Sequence, residues 1–506
     1  MSLVLAGPAV AQDDHSADDT PDFAAMNAEE LVQTLRSSKN RWREEPCDFG
    51  EPLFTAMSSK MPDNPSVHRT LKFSQIFCAD EQGEYAKGAA YVAELETTDP
   101  EVNLLSMALY FGRRSEDADG VLARLRKLDF DGASELDEES FWPVTWMIYD
   151  AGKADELNDL ALEWSQTGIF GALSLNLQSG LAFRALGSAA RQERGDLAGG
   201  LLNYITSPRS YVSLLTDRKY ETIWPQIEQR AGKNLSSTGK RNVELTLARL
   251  ENSPSDRDRF SDAAHALHFN GQFEDAIDLA DQWQRREERG VALEEGDAWA
   301  LNIQAYAYDS LGQTAKADAV FDRLAAVDPD ENGWVVSFVI NRASRLVGQG
   351  RWEEGLAATE LARSVAEENG NTYAKLLIAR DRACALLKLD RMDAAMSELE
   401  FMRENVDDGA KIVVQGLLCF GFKDEAAKIM LDMFADPDKR VTAIDAFEVG
   451  DLDLFYTQSL LPDASDLLAT SPELAAELAK YMRPMPEDLI PAASLKRVKL
   501  DLPSWN

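Results

Sequence analysis

The chain has 506 residues, 45% of them hydrophobic, and a formal net charge of −35 from 87 acidic and 52 basic side chains. The hydrophobic share is that of a folded protein and too high for general disorder, and the length allows several domains or one extended array. A surface so acidic repels phosphate backbones and anionic headgroups, which counts against nucleic acid and membrane surfaces as partners and leaves basic peptides and divalent cations.

Residues 1–12 read MSLVLAGPAVAQ, and no run in the chain approaches the roughly 20 apolar residues of a membrane-spanning helix. Ala9-Val10-Ala11 has the small-x-small pattern of a signal-peptidase site, and Leu3 to Ala6 resemble the end of its apolar core. Residues 1–11 are therefore expected to be a signal-peptide remnant and the protein periplasmic or secreted; the alternative is a mildly apolar, frayed terminus. Gln12 stands where a lipoprotein would carry its Cys, so no lipid anchor is expected. Residues 12–25 have nothing to bury and are expected to be disordered. Asn27 and Glu30 form a capping-box pattern that opens the helix NAEELVQTLRSSK.

Residues 26–250 carry a degenerate repeat. GRRSEDADGVLARL (112–125), AGKADELNDLALEW (151–164) and ERGDLAGGLLNYI (193–205) each show a turn followed by an amphipathic helix. Phe141-Trp142-Pro143 and Trp224-Pro225 read as irregular joints, and GKNLSSTGK (232–240) as a linker between two arcs.

From 255 to 437 the repeat is plain. Ala305, Tyr308, Gly312, Ala317, Phe321 and Pro329 recur in spacing as Ala264, Leu267, Gly271, Ala276 and Ala280, then as Ala343, Leu346, Gly350, Gly355, Thr359 and Ala362. Ala383, Leu386, Asp390, Ala395, Leu399 and Met402 make a further copy, and Gly421, Ala426, Met430 and Met433 a partial one. Small residues let two antiparallel helices approach, the Gly or Asp permits a left-handed turn between them, and the large residues supply the buried stripe. One hairpin cannot bury its own apolar face, so it stacks on the next.

These residues resemble the tetratricopeptide repeat, most closely over 298–329, although the turn positions 271, 312, 350, 390 and 421 are spaced unlike its usual period of about 34. The resemblance implies an all-α chain of helical hairpins stacked into a right-handed α-solenoid. Residues 438–490 are expected to form a C-terminal helical cap, including SPELAAELAKYM (471–482) with Ser471 as N-cap and Pro472 at its first position. Residues 491–506, with Lys496, Arg497 and Lys499, form an extended tail, either packed back on the array or a docking peptide for an acidic groove.

Motifs for chemistry are sparse. Asp328-Pro329-Asp330-Glu331-Asn332-Gly333 begins like a calcium loop, but position 12 is Val339 where a bidentate acid is needed, so it reads as a turn. Residues 232–240 depart from a phosphate-binding loop, with Arg241 where Ser or Thr would hold magnesium, and Ser237 with Lys240 makes an S-x-x-K spacing without supporting motifs. His265, His268 and Asp262 share a helical stripe but lack a fourth zinc ligand, which favours a polar face over a metal site. No cofactor or metal is expected.

In the resembling family the first helix of each hairpin lines a ligand groove. By position that groove takes His265, His268, Trp299, Asn302, Tyr306, Asp309 and Arg380, together with Ser337, Ile340, Ser344 and Cys384. Trp299 and Tyr306 serve equally as a peptide platform or as seals for long repeats. The Lys and Asn clamp for a C-terminal carboxylate is missing, since Ser261, His265 and Ile303 stand there. Four cysteines form two sequence-local pairs, Cys47 with Cys78 and Cys384 with Cys419, for which disulfides or buried thiols are both open; in the repeat register Cys384 and Cys419 fall on adjacent first helices. The expected function is a non-enzymatic periplasmic scaffold or adaptor for a protein or peptide partner of the cell envelope. Its rivals are a self-assembling envelope protein and a murein-active enzyme with a helical superstructure.

Overall fold

The computed structural model describes residues 21–100, 102–287, 292–448, 452–502 and 505. The expected signal-peptide remnant at 1–11 and positions 12–20 of the acidic segment lie outside the described residues. Among the described residues all regular structure is helical, and β-pairing is limited to an isolated bridge between Asp217 and Met482. The chain divides into two compact units between Ile205 and Thr206.

Both units are built from one device, two helices joined through a single residue in the left-handed conformation. In the first unit the hairpins are Pro65–Glu81 with Tyr85–Thr98 around Gly83, Leu105–Arg114 with Ala118–Leu125 around Glu116, and Glu138–Asp150 with Ala154–Thr167 around Gly152. A fourth joins Leu175–Arg191 to the short Ala198–Leu201 around Glu193.

The second unit follows the same plan. It pairs Arg257–Phe269 with Phe273–Glu287 around Gly271, Glu295–Ser310 with Thr314–Ala325 around Gly312, and Val335–Gly348 with Trp352–Asn369 around Gly350. Thr372–Lys388 with Met392–Glu404 closes at Asp390, and Val406–Cys419 with Lys423–Ala435 at Gly421.

Every one of these turns carries the same two hydrogen bonds. The left-handed residue's N–H donates to the carbonyl three residues back, and the next N–H donates to the carbonyl five back. Gly312 reaches Asp309 at 2.9 Å and Gln313 reaches Tyr308 at 2.8 Å; Glu116 reaches Arg113 at 3.1 Å and Asp117 reaches Gly112 at 2.9 Å. The pair satisfies carbonyls that a helix end leaves bare. Glycine meets this conformation without a Cβ penalty, but Glu116, Glu193 and Asp390 adopt it at φ of 56°, 57° and 58°.

Within the second unit, the first helices of consecutive hairpins lie side by side in chain order, and each second helix also packs on the next first helix. The small repeat positions Ala264, Ala276, Ala305, Ala317, Ala343, Ala383, Ala395 and Ala426 are all completely buried. Gly355 shows how close the helices come: a Cβ there would lie 2.6 Å from Val347 Cγ2.

Several expectations change against the structure. In a segment expected to have nothing to bury, Phe23–Ala25 form a 3-10 turn that seats Phe23 edge-on to Phe49 at 5.3 Å, because one aromatic ring suffices to anchor it. Phe141, Trp142 and Pro143 are no joint. Helix Glu138–Asp150 runs straight through Pro143. Trp224-Pro225 opens helix Trp224–Ala231, where a missing N–H costs nothing. Residues 232–240 lie inside the second unit, where Gly232, Asn234 and Leu235 turn the chain into helix Ser236–Asn252.

The capping box at Asn27 has both its halves, with Asn27 Oδ1 accepting from Glu29 and Glu30 N–H and Glu30 accepting from the Asn27 N–H. Ser471 caps helix Pro472–Leu478 by accepting from the Leu474 N–H. The cysteines are bridged as Cys47–Cys78 and Cys384–Cys419, the second pair joining helices Thr372–Lys388 and Val406–Cys419. Closing loops of 31 and 35 residues stabilises by about 3–4 kcal/mol each in the chain-entropy account.

Relieving the left-handed strain gives a direct check on the turn argument. Glu116→Gly and Glu193→Gly are each expected to raise the unfolding free energy of the first unit by about 0.5–1 kcal/mol, read as a higher urea midpoint. Gly312→Ala is expected to lower that of the second unit by about 1 kcal/mol.

Candidate functional site

The first helices of the second unit share one face, and the stripe marked out in the sequence lies along it. Most of its residues are buried. His268 is fully buried, and its Nε2–H donates to the Phe455 carbonyl at 2.7 Å. Its Nδ1 is buried without a partner, so the ring is a neutral Nε2–H tautomer. His265 is half-buried, with Nδ1 2.9 Å from the Ser261 carbonyl.

The cover is the chain's own segment. The π-helical turn Leu452–Tyr456 lies on helices Arg257–Phe269 and Glu295–Ser310. The Tyr456 ring stacks over His268 at 5.8 Å and lies 6.2 Å from His265 and 5.1 Å from Tyr306, while Phe455 packs on Phe269 at 4.4 Å. Burial raises the pKa of the Tyr306 phenol and lowers those of both histidines, His268 to about 3.

The other stripe residues are taken up in internal pairs. Asn302 Oδ1 accepts from Asn341 Nδ2 at 3.2 Å. Trp299 is half-buried, donates to Glu295 at 3.3 Å, and rests on Phe338 at 4.8 Å. Asp309 forms a buried, two-pronged ion pair with Arg345, with Nη2 2.7 Å from Oδ1, and Gln349 adds a bond at 3.1 Å. Arg345 also holds Asp318 at 2.7 Å, which ties the Gly312 hairpin to the next. Burial pushes the Asp309 carboxyl up, against the pull of that guanidinium. Arg380 is held by Asp381 at 2.7 Å, Gln415 at 2.9 Å and Ser344 at 3.3 Å. Tyr306 and His268 are thus sealed within the unit, while Trp299 and His265 are only half-buried.

Beyond Tyr456 the chain keeps to the same unit. Leu460 N–H donates to the Gly348 carbonyl at 2.9 Å. Arg483 reaches the Leu215 carbonyl at 2.6 Å and Glu228 at 2.7 Å, with its guanidinium 3.6 Å over the Trp224 ring. The tail then crosses successive hairpin turns. Lys496 Nζ donates to the carbonyls of Asn270 and Gly271 at 3.2 and 3.3 Å, Val498 N–H to Ser310 at 2.8 Å, and Trp505 meets Trp352 edge-on at 5.7 Å. Lys496 thus meets turn carbonyls rather than an acidic groove. The Lys388 ammonium, 4.2 Å from the Trp505 ring, donates to the Trp505 carbonyl.

No group of three or more His, Cys, Asp or Glu among the described residues is placed to hold a metal ion. Asp328 and Asn332 are spent in turn bonds, with Asp330 N–H on Asp328 Oδ1 at 3.0 Å and Asn332 on the Asp328 carbonyl at 3.2 Å. A cleft of about 670 Å³ beside Lys496 is lined by Lys233, Lys240, Asn270, Gln272 and Glu244 among others, and holds no histidine, cysteine or aspartate. The tail packs back on the array, the first of its two expected readings, but its particular partners, 117 to 226 residues away, left no local signal.

Compared with protein-family models and with curated proteins, the chain matches none of them.

Two outcomes follow from this geometry. Asp309→Asn is expected to cost the second unit about 3 kcal/mol in chemical unfolding, because it leaves Arg345 without its buried counter-charge. His268 binds no proton while Phe455 and Tyr456 cover it, but has a pKa of about 6.5 once uncovered. Docking of the segment is therefore at full strength above about pH 6.5 and weakens by up to tenfold per pH unit as pH falls toward 3. Hydrogen exchange at residues 454–460, corrected for intrinsic rates, is expected to be faster at pH 5 than at pH 7.5, and His268→Gln to flatten the difference.

Proposed function

We propose that this protein is a non-enzymatic scaffold or adaptor of the tetratricopeptide-like kind, holding an extended segment of a protein partner in the cell envelope. One observation supports the reading: the helical hairpins of the second unit already hold the chain's own C-terminal segment, a run of short helices and irregular backbone over 454–502, through backbone carbonyls and aromatic surfaces. Main-chain hydrogen bonds with side-chain pockets are the general means by which folded domains take up extended peptides.

In this reading the hairpins stack as a right-handed solenoid in which each contacts its neighbours, as consecutive hairpins of the second unit do. Two cystine bridges favour an oxidising compartment, in line with the Ala9-Val10-Ala11 pattern and a periplasmic or secreted location. No helix among the described residues is long and apolar enough to cross a membrane.

The test is affinity capture from envelope extract with the immobilised full chain, paired with light scattering of the purified protein. Saturable, reproducible enrichment of a small set of proteins by a chain that is monomeric alone is the expected result. A stable oligomer that captures nothing overturns the adaptor reading in favour of self-assembly.

A further inference from the structure

A guanidinium withdrawn from water normally has a carboxylate beside it, since the loss of solvation costs several kcal/mol. Arg184 in helix Leu175–Arg191 is half-buried and has none among the described residues. Its guanidinium lies 4.5 Å over the Tyr149 ring and 5.7 Å from that of Trp142, and its polar contact is a long 3.5 Å approach to Thr145 Oγ1. Burial without a counter-charge pushes its pKa down to about 10. The arrangement is built in: a Cβ on Gly180, one turn earlier, would lie 2.4 Å from the Trp142 ring.

A large apolar surface adjoins this cation. Trp146 packs edge-on to Tyr149 at 6.4 Å and is 57% exposed. Its place in the hairpin is telling. Trp146 and Tyr149 stand six and three residues before the left-handed Gly152, as His265 and His268 stand before Gly271 and Tyr306 and Asp309 before Gly312. In the second unit that register is sealed by Phe455 and Tyr456. In the first unit it remains open, and the neighbouring first helix continues it with Tyr110, 36% exposed, at the same six-residue offset from Glu116.

We infer that the face formed by Trp142, Trp146, Tyr149 and Arg184 is a docking site for an extended peptide presenting an aromatic side chain and one carboxylate. The aromatic ring packs on Trp146 and the carboxylate takes the free donors of Arg184, a pairing of ring area with a planar cation typical of interface anchors. This rests on the scaffold reading and names the partner's chemistry. The chain's net negative charge does not oppose it at contact, because at physiological salt that field is screened beyond about 8 Å.

The test uses the full chain and a fluorescein-labelled, C-terminally amidated hexapeptide with the sequence of residues 452–457, Leu-Asp-Leu-Phe-Tyr-Thr. Fluorescence anisotropy is expected to show saturable binding, weakened at least tenfold by Trp146→Ala and by Arg184→Met. The same loss is expected when the peptide's aspartate is replaced by asparagine or its Phe-Tyr pair by alanine. Trp146 is exposed enough for its alanine variant to keep the parent melting temperature, so that variant decides the matter should Arg184→Met fail to fold. Absence of saturable binding, or binding that ignores Trp146→Ala or the asparagine peptide, overturns the proposal, as does tighter binding of an anionic polysaccharide at the same face. A chain that enriches partners from extract yet ignores this peptide refutes the site and leaves the scaffold reading standing.

Discussion

Two hydrogen bonds at a left-handed turn hold the design together. Within each of these hairpins, a single residue at positive φ lets two successive N–H groups reach back to the end of the first helix. The turn sets both the reversal and the phase of the second helix about its axis. That phase decides which residues face the partner helix, so a fixed turn allows alanines on both sides to meet at full burial. The three turns made by Glu116, Glu193 and Asp390 show that the hydrogen bonds outweigh the Cβ penalty, since the conformation persists without glycine.

A constant turn also gives each hairpin the same inward-facing positions, and the two units use them differently. In the second unit they carry histidine, tyrosine and paired ions, and the chain closes over them itself. Burying Asp309 with Arg345 is costly in solvation, and its return is a fixed relation between adjacent hairpins. In the first unit the equivalent positions Tyr110, Trp146 and Tyr149 carry rings, and Arg184 lies beside the last of them without a carboxylate. The same backbone geometry thus yields one self-satisfied surface and one with unmet bonding capacity.

Local features were legible in the sequence because local rules govern them. The small-residue spacing over 255–437, the capping box at Asn27 and Glu30, and Ser471 before Pro472 all report interactions within a few residues. The turns at Glu116 and Glu193 were fainter, because glutamate does not advertise a left-handed conformation as glycine does. Phe23 was hidden by its acidic neighbours, and Pro143 misled because a helix can absorb one missing donor. The sealing of His268 by Phe455 was invisible for a different reason: its partners are 187 residues apart, and no local pattern encodes such a meeting. Arg184 likewise looks like any helical arginine until its surroundings are seen to lack a carboxylate.

Open arrays of hairpins gain stability piece by piece, each module depending only on its neighbours. The strap formed by residues 483–502 changes that for the second unit. Lys496 fastens to Asn270 across 226 positions, and Arg483 to Leu215 across 268. Early and late modules therefore share one set of fastenings, and their fates are coupled. During synthesis the hairpin at Gly271 emerges well before its fastening exists, so the nascent unit stays incomplete until translation has passed residue 496. Completion of the second unit thus waits on the last stretch of the chain.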